Sequence, residues 1–459
     1  MPSPHMTLSP EDLTPLPRSE TDNTLVRPSL SYWEDAWRRL RSNPRAIVSL
    51  GIVVSLLLFA LVGPLVWRVD PAEQDVDQIS QPPGADRSAI IVEPLAPWRP
   101  EGKTPDAPVL ALDGPATTQA VRLVWGPLPG AERYRVYRNL YPAEPGHAFG
   151  MPLAELSGQE VRAFEDRLDL RPQTWYYTVV ALDGHGTALP DFVTLPVTVA
   201  RVITAADAVA RGMADSEQNL PPGTVVKFAL HPLGTDYLGR DLLARLMQGA
   251  QVSLFIGLCA PLLYILIGVA YGSLAGFVGG RVDQLLMRFA DFVVALPFLL
   301  FMILFKIAFG IGPGESGIMP MLVALVLLSW PASSRLVRGQ ILQMREEGYV
   351  GAARLLGASS PYLIARHMLP NTLGVIIVTL TFAVPSAIFT EAFLSFIGMG
   401  VAPPTPSWGS MCNEGIKSML EHPHEIIFPA LFISVTVLAF NLLGDGLRDA
   451  LDARMRSRE

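Results

Sequence analysis

Residues 246–280 read LMQGAQVSLFIGLCAPLLYILIGVAYGSLAGFVGG, a stretch without a charged side chain between Arg245 and Arg281. A helix needs about 20 mostly apolar residues to cross the hydrocarbon core of a bilayer. The stretch therefore predicts a membrane-spanning helix over 253–278. One such run could also be a buried helix of a soluble protein, so the fold depends on how many comparable runs the chain contains.

Five further runs have the composition of spans. The weakest is 292–305, which is short but is flanked by Asp291 and Lys306, whose side chains can reach the membrane interface. Only 17% of the chain is charged, against about 25% in soluble domains. We therefore predict a mainly α membrane protein with six transmembrane helices, located within 46–67 and over 253–278, 287–309, 316–336, 371–395 and 424–446.

The basic residues orient these spans, because Lys and Arg accumulate in short cytoplasmic loops. One set of loops offers only Lys306 and Lys417. An even number of spans then places both termini in the cytoplasm, and the first run is expected to be an anchor rather than a cleaved signal peptide. The opposite set holds Arg38, Arg39, Arg41, Arg45, Arg281, Arg288, Arg335, Arg338, Arg345, Arg354, Arg366, Arg448, Arg454, Arg456 and Arg458.

The chain before the first span divides into two parts. Residues 1–30 are rich in Pro, Ser and Thr, which predicts a disordered cytoplasmic tail. Trp33, Trp37 and Leu40 then recur at helical spacing among arginines. Within the segment 31–68, ahead of the first span, this pattern predicts an amphipathic helix on the inner membrane surface; a helix packed on the protein is an equal alternative.

A long segment separates the first two spans and is predicted to lie outside the cytoplasm. Its Pro-rich flanks, 69–106 and 201–230, indicate linkers. Residues 107–200 alternate in the manner of strands and resemble a fibronectin type III β-sandwich; another small β-sandwich is the alternative. The resemblance rests on Trp125, Tyr134, Val136, Tyr137, Asp166 and the run 170–179, with Tyr176 as the expected tyrosine corner.

The motif HPLGTDYLGRD at 231–241 leads into the second span. Its glycines and proline predict a turn, while Asp236, Arg240 and Asp241 are expected to cap the helix and to pair with one another. An ordinary polar cap at the interface would also account for these residues. The motif residues of interest are Gly234, Thr235, Asp236, Gly239, Arg240 and Asp241.

The cytoplasmic loop 347–370 predicts a short helix, a tight turn and a second short helix. Gly357 is the expected terminator, Ser360 the N-cap and Pro361 the first residue of the second helix. Such a knob can dock into a partner, although a hairpin lying on its own bundle is an alternative. The candidate contact residues are Gly351, Ala352, Ala353, Leu355, Leu356 and Gly357.

Together these motifs resemble the permease subunits of ATP-binding-cassette (ABC) importers, specifically the second, C-type permease of the dipeptide, oligopeptide and nickel group. The outer loop PPTPSWG at 403–409, EAFLSF at 391–396 and NLLGDGLRDALD at 441–452 add to the likeness, which covers about 31–85 and 220–455. The resemblance implies a subunit that forms half of a translocation path in a bacterial or archaeal plasma membrane.

The same resemblance implies the partners. They are a second permease subunit, either a different chain or a second copy, two cytoplasmic ATPases that bind ATP and Mg²⁺, an outer substrate-binding protein, and membrane lipid. The chain itself has no phosphate-binding loop and no metal or catalytic motif, so neither enzyme activity nor a cofactor is expected. The chain is not expected to bind nucleic acid.

Two departures from the family stand out. Gly351 replaces the usual Glu of the cytoplasmic motif, and the β-region interrupts what is normally a short outer loop. Peptides are the leading substrate, with nickel, opines, glutathione-like compounds and sugars as alternatives, and no substrate-contacting residue can be named. An adhesion or signalling protein that acts through the β-region is the competing function.

Overall fold

The computed structural model describes residues 32–100, 104–144, 147–309 and 316–451. These residues form two compact units, one made of the chain up to Gly84 together with the chain from His231, and the other Ala85–Leu230. The predicted tail 1–30 lies outside the described residues.

The elements follow in chain order. The helices are α1 (Tyr32–Ser42), α2 (Pro44–Leu61), α3 (Gly63–Val66), α4 (Ala205–Ala210), α5 (Leu242–Val278), α6 (Gly280–Val294), α7 (Phe298–Ala308), α8 (Ile318–Arg345), α9 (Gly348–Leu355), α10 (Ser360–Tyr362), α11 (Leu369–Phe396), α12 (Trp408–Gly415) and α13 (His424–Leu451). The strands are β1 (Ser88–Val92), β2 (Leu110–Leu112), β3 (Val121–Trp125), β4 (Arg133–Asn139), β5 (Ala154–Ser157), β6 (Ala163–Asp166), β7 (Thr174–Leu182), β8 (Ala188–Thr198), β9 (Val202–Thr204) and β10 (Val225–Lys227).

Within the described residues, five helices are long and apolar enough to cross a membrane, and a bent pair would make a sixth span. In chain order these five helices are α2, α5, α8, the stretch Ser360–Phe396 and α13. Several helices exceed their predicted spans: α5 begins at Leu242, α8 continues to Arg345, and α13 continues to Leu451. The predicted span of α8 ended beside Arg335, but the helix continues past this charged residue.

The predicted span 287–309 is a bent helix pair, which can count as one broken span. The structure has two helices there, α6 and α7, bent by 81°. Pro297 caps the second helix with an extended backbone conformation. Proline lacks the N–H that would continue a helix and disfavours the helical conformation of the residue before it, so the chain turns at this point.

The second helix of the loop 347–370 was predicted to be short, but it is the beginning of a longer helix. Residues Ser360–Phe396 form one helix, in which a π-helical segment, Leu363–Met368, joins α10 to α11. Its N-cap residue is Ser359 rather than Ser360. Pro370 lies inside this helix, two residues after the π-helical segment.

A ladder of three glycines brings α5 against α8. A Cβ atom on Gly268, Gly272 or Gly276 would lie 2.0 Å from the Ser333 hydroxyl, 2.3 Å from the Ser334 carbonyl oxygen and 2.9 Å from the Arg338 carbonyl oxygen, respectively. Small residues at every fourth position let two membrane helices approach closely, and dispersion contacts then stabilise the pair. This close contact runs along the central part of the bundle.

The amphipathic pattern of α1 divides between two environments. Ala36 and Leu40 are buried, and Leu40 packs with Ala46 and Ala450 near the end of α13. Trp33 and Trp37 are about half exposed. Leu40 therefore packs on the protein, in line with the alternative of a packed helix.

The β-unit contains a sandwich of two antiparallel sheets. One has the strand order β2-β3-β6 and the other β5-β4-β7-β8. Both sheets contribute to one core, in which Trp125 of β3 meets Tyr134 of β4 edge to face with ring centroids 5.5 Å apart. Alternating apolar residues thus bury the inner faces of both sheets.

The buried tyrosine hydroxyl of this sandwich belongs to Tyr177, which donates to the Asp166 carboxylate at 2.6 Å. Tyr176, the residue expected at the tyrosine corner, is only partly buried, so its role stays a prediction. Burial, together with the hydrogen bond to Asp166, raises the pKa of Tyr177 above its ordinary value. Arg138 also contacts Asp166, at 2.9 Å, and offsets its charge.

The flanks predicted as linkers are partly ordered. Strand β1, from the first flank, pairs with β9 and β10, from the second, in a three-stranded sheet. Ile91, Ile203, Ala208 and Phe228 form a small core on it. The high proline content hid these strands, which are only three to five residues long.

The glycine ladder makes a testable prediction. Gly272→Ala forces a methyl group against the Ser334 carbonyl, so we expect a loss of about 1–3 kcal/mol in unfolding free energy. Thermal unfolding in detergent would show this as a lowered midpoint. Gly339→Ala is the matched control, because a Cβ atom at Gly339 of α8 has open space around it. Equal midpoints for the two variants would contradict the tight packing of α5 on α8.

Candidate functional site

Helix α9 is attached to the bundle by one buried side chain. Val350 is 1% exposed and packs with Phe277 of α5, Ile341 of α8 and Leu363. Tyr349 accepts a hydrogen bond from Asn371 at 3.2 Å, which ties the same helix to α11. The candidate contact surface is therefore fixed on three long helices rather than carried on a free loop.

The predicted contact residues divide into two groups. Leu355 and Leu356 are 91% and 89% exposed, and Gly351 and Ala352 are exposed beside them. Ala353 instead packs partly against the cluster around Val350. Exposed leucines are costly in water, so this surface has the apolar character of a docking site.

Two glycines in this surface behave differently. Gly357 has φ of 90°, and the amides of Gly357 and Ala358 bond back to the carbonyls of Arg354 and Ala353 at 3.0 and 3.1 Å. This is a Schellman ending, so the predicted role of Gly357 as terminator is confirmed. A Cβ atom on Gly351 would meet nothing within 4 Å, so sterics do not exclude a larger side chain there.

The motif 231–241 packs against the chain that leaves the first span. Thr235 is fully buried, accepts from the Gln81 amide at 2.8 Å and donates to the Gln78 carbonyl. A Cβ atom on Gly234 would lie 2.2 Å from the Gln81 carbonyl oxygen, and one on Gly239 would lie 1.8 Å from that of Asp75. Both glycines also have positive φ, so close approach and backbone conformation both require glycine here.

The charged residues of the motif form a buried network. Asp236 binds Arg240 at 2.7 Å and also Arg245. Glu414 of α12 binds both arginines, at 2.9 and 2.8 Å. The predicted pairing of Asp236 with Arg240 is confirmed, and two carboxylates balance two guanidinium groups where water is excluded.

Asp241 has one of its two expected roles: it caps α5 but does not pair with Asp236 or Arg240. Its carboxylate caps α5 by accepting from the Ala244 amide at 2.6 Å, as predicted. It pairs with His231 at 2.7 Å and accepts from Trp67 at 3.2 Å, rather than joining the Asp236 network. The helix cap therefore also holds the end of the first span.

A second buried carboxylate lies between α5 and α11. Glu391 is fully buried and accepts hydrogen bonds from Ser253 and Ser395, both at 2.8 Å. The Trp408 amide reaches the same Ser253 hydroxyl at 3.4 Å, and Trp408 Nε1 donates to the Leu246 carbonyl at 3.1 Å. These contacts hold the first residue of α12 against α5 and link α5 to α11.

Arg245 and Glu414 were missed from the sequence. Arg245 was treated only as the boundary of an apolar run, although it lies four residues after Asp241 and therefore shares a helix face with it. No sequence signal connects Glu414 to it, since 169 residues separate the two. Among the residues that the structure describes, no group of His, Cys, Asp and Glu side chains could hold a metal ion.

The network predicts a stability effect. Glu414→Gln leaves two buried guanidinium groups with only Asp236, so we expect a loss of about 3–5 kcal/mol in unfolding free energy. Thermal unfolding in detergent measures it. Glu346→Gln is the matched control, because its pair with Arg345 is solvent-exposed and should change stability little. A Glu414→Gln variant as stable as this control would show that the network contributes nothing.

Known proteins match the two ends of the chain. Residues 268–457 match the family described as binding-protein-dependent transport system inner membrane component, and residues 31–83 match the N-terminal TM domain of oligopeptide transport permease C. The intervening β-unit lies outside both matches.

Three curated relatives agree with these families. The dipeptide transport system permease protein DppC of Bacillus subtilis (strain 168) is 47% identical over 242 residues, which cover 52% of this chain and 72% of the relative. The oligopeptide permease OppC of the same strain is 46% identical, covering 49% and 72%. The glutathione transport system permease protein GsiD of Pectobacterium atrosepticum is 42% identical, covering 50% and 74%. The chain belongs to the inner-membrane permease subunits of ABC importers, in the OppC/DppC group, and is a multi-pass transport subunit rather than an enzyme.

Proposed function

We propose that this subunit forms half of a translocation path for peptides or peptide-like solutes. The substrates named for its relatives are dipeptides, oligopeptides and glutathione, all of which contain peptide bonds. A second permease subunit completes the path, and a substrate-binding protein delivers the solute from outside. The chain supplies the path and the conformational change, and partner ATPases supply the energy.

The observation that best supports this function is the surface at 351–357. Its two exposed leucines form an apolar knob, and Val350 fixes that knob to α5, α8 and α11. A cytoplasmic ATPase that grips the knob can therefore move several spanning helices at once. Switching between two packings of the bundle is the kind of transition that alternating access requires.

The orientation forms part of the proposal. The bias of basic residues supports cytoplasmic termini, a cytoplasmic knob and a β-unit outside the cytoplasm. The three-plus-four strand arrangement and the Trp125–Tyr134 core support a fibronectin type III-like sandwich. For this β-unit we propose a docking role toward the binding protein or another envelope component.

The coupling role predicts the effect of a charge in the knob. Leu356→Asp places a carboxylate in an apolar contact, so we expect ATP-driven uptake to fall about tenfold or more, as for the loss of a central interface side chain. Uptake into vesicles and co-purification of the ATPase measure the effect. The bundle should keep its thermal stability, because the side chain is exposed.

Leu420→Asp provides the control, since Leu420 is 94% exposed but lies outside the knob. This variant should retain the ATPase. Normal uptake by Leu356→Asp would overturn the coupling role, and equal loss of ATPase in both variants would show that the effect is not specific.

The orientation predicts opposite labelling of two cysteine variants. Met151→Cys in the β-unit and Leu355→Cys in the knob replace side chains that are 92% and 91% exposed. In intact cells a membrane-impermeant maleimide should label only the first, and permeabilisation should expose the second. Labelling of Leu355→Cys alone before permeabilisation would reverse the orientation.

A further inference from the structure

A polar cavity of about 190 Å³ lies among four helices of the bundle. Tyr264 of α5, Phe298 of α7, Ser329 of α8, and Ser386 and Thr390 of α11 contribute to its lining. Leu325 and Ala387 complete it, so no charged side chain lines this cavity among the residues that the structure describes.

Each of the four helices has a proline close to its lining residue. Pro261 precedes Tyr264, Pro297 precedes Phe298, Pro331 follows Ser329, and Pro385 precedes Ser386, all within three residues. The contribution of Pro297 is the sharpest, because this residue marks the 81° bend between α6 and α7.

These prolines matter because each one inside a helix removes the hydrogen bond to the carbonyl four residues earlier. Irregular backbone at membrane depth is tolerated where it is buried in protein or lines a water-filled cavity. Helices α5, α8 and α11 continue through their prolines, whereas the α6–α7 pair is broken. Three helices that each lack a backbone hydrogen bond and one broken pair therefore meet around this cavity.

The hydroxyl groups give a second, independent argument. Ser386 is exposed, and Tyr264, Ser329 and Thr390 are only partly buried, although all four lie on spanning helices. Thr390 bonds back to the Ser386 carbonyl at 2.8 Å. Because these four side chains line a cavity between helices, their hydroxyl groups are available to a solute inside it.

We propose that this cavity is a contact site for cargo in the translocation path, and that its hydroxyl groups bind the main-chain amides of a peptide. The inference rests on the proposed function. Hydroxyls both donate and accept, as a peptide unit requires, and the uncharged lining favours peptide bonds over charged termini or side chains. Contact with the main chain alone would let peptides of different sequence pass.

The test uses the complete transporter with its ATPases and binding protein in proteoliposomes, and trialanine as the probe. In a Ser386→Cys variant, we expect a charged methanethiosulfonate reagent to label the cysteine. Addition of trialanine-loaded binding protein and ATP should slow that labelling about fivefold, as expected for a site occupied most of the time. The unsubstituted chain, with Cys259 and Cys412, gives the background.

Ser434→Cys is the matched control, because Ser434 is an exposed serine on α13, a spanning helix that does not line the cavity. Its labelling should not respond to trialanine. A Ser329→Ala variant adds a functional readout: trialanine uptake should fall about fivefold, as for one lost hydrogen bond, while ATPase stimulation by the binding protein persists.

Three results would overturn the inference. Labelling of Ser386→Cys only by a lipid-soluble maleimide would place this residue against lipid. No labelling at all would place it in a subunit interface. The third result is labelling that trialanine does not slow. Uptake of trialanine by the unsubstituted complex reports on the proposed function separately. Its absence would overturn the peptide assignment, whereas uptake without protection of Ser386→Cys would overturn this inference alone.

Discussion

The hydrocarbon core of a membrane offers no hydrogen-bond partners, so every polar group within it must be satisfied by the protein itself. This constraint explains why Glu391 is enclosed by Ser253 and Ser395, and why Arg245 meets two carboxylates. Glu391 of α11 is bound by Ser253 of α5 and by Ser395 of its own helix. Arg245 of α5 is bound by Glu414 of α12 and by Asp236, which precedes α5. The polar groups thus determine which helices pack together, while apolar contacts and the glycine ladder determine how closely they pack.

The sequence predicted the parts of the fold that depend on local chemistry. Apolar runs located the spanning helices, Gly357 ended α9, and Asp241 capped α5 as expected. Helix ends were less accurate, because α5 and α8 extend beyond the apolar runs into residues stabilised by ion pairs, such as Asp283 with Arg338 at 2.5 Å. Hydropathy does not register a charge that is paired inside the protein.

Other features depend on contacts between distant residues, and the sequence could not supply these. Glu414 lies far from Arg245 in the chain, and β1 pairs with strands more than one hundred residues away. A local choice between neighbouring residues also failed, because the N-cap is Ser359 rather than Ser360. Two adjacent serines satisfy the same capping pattern, and the pattern alone does not select one.

The continuous helix Ser360–Phe396 has a mechanical consequence. A helix rises about 1.5 Å per residue, so the arm from Ser360 to Pro385 is about 38 Å long. A tilt of about 10° at the Ser360 end would displace the Pro385 end by about 6 Å, roughly one helical turn. A small movement of the chain beside Ser360 would therefore become a large displacement next to Glu391.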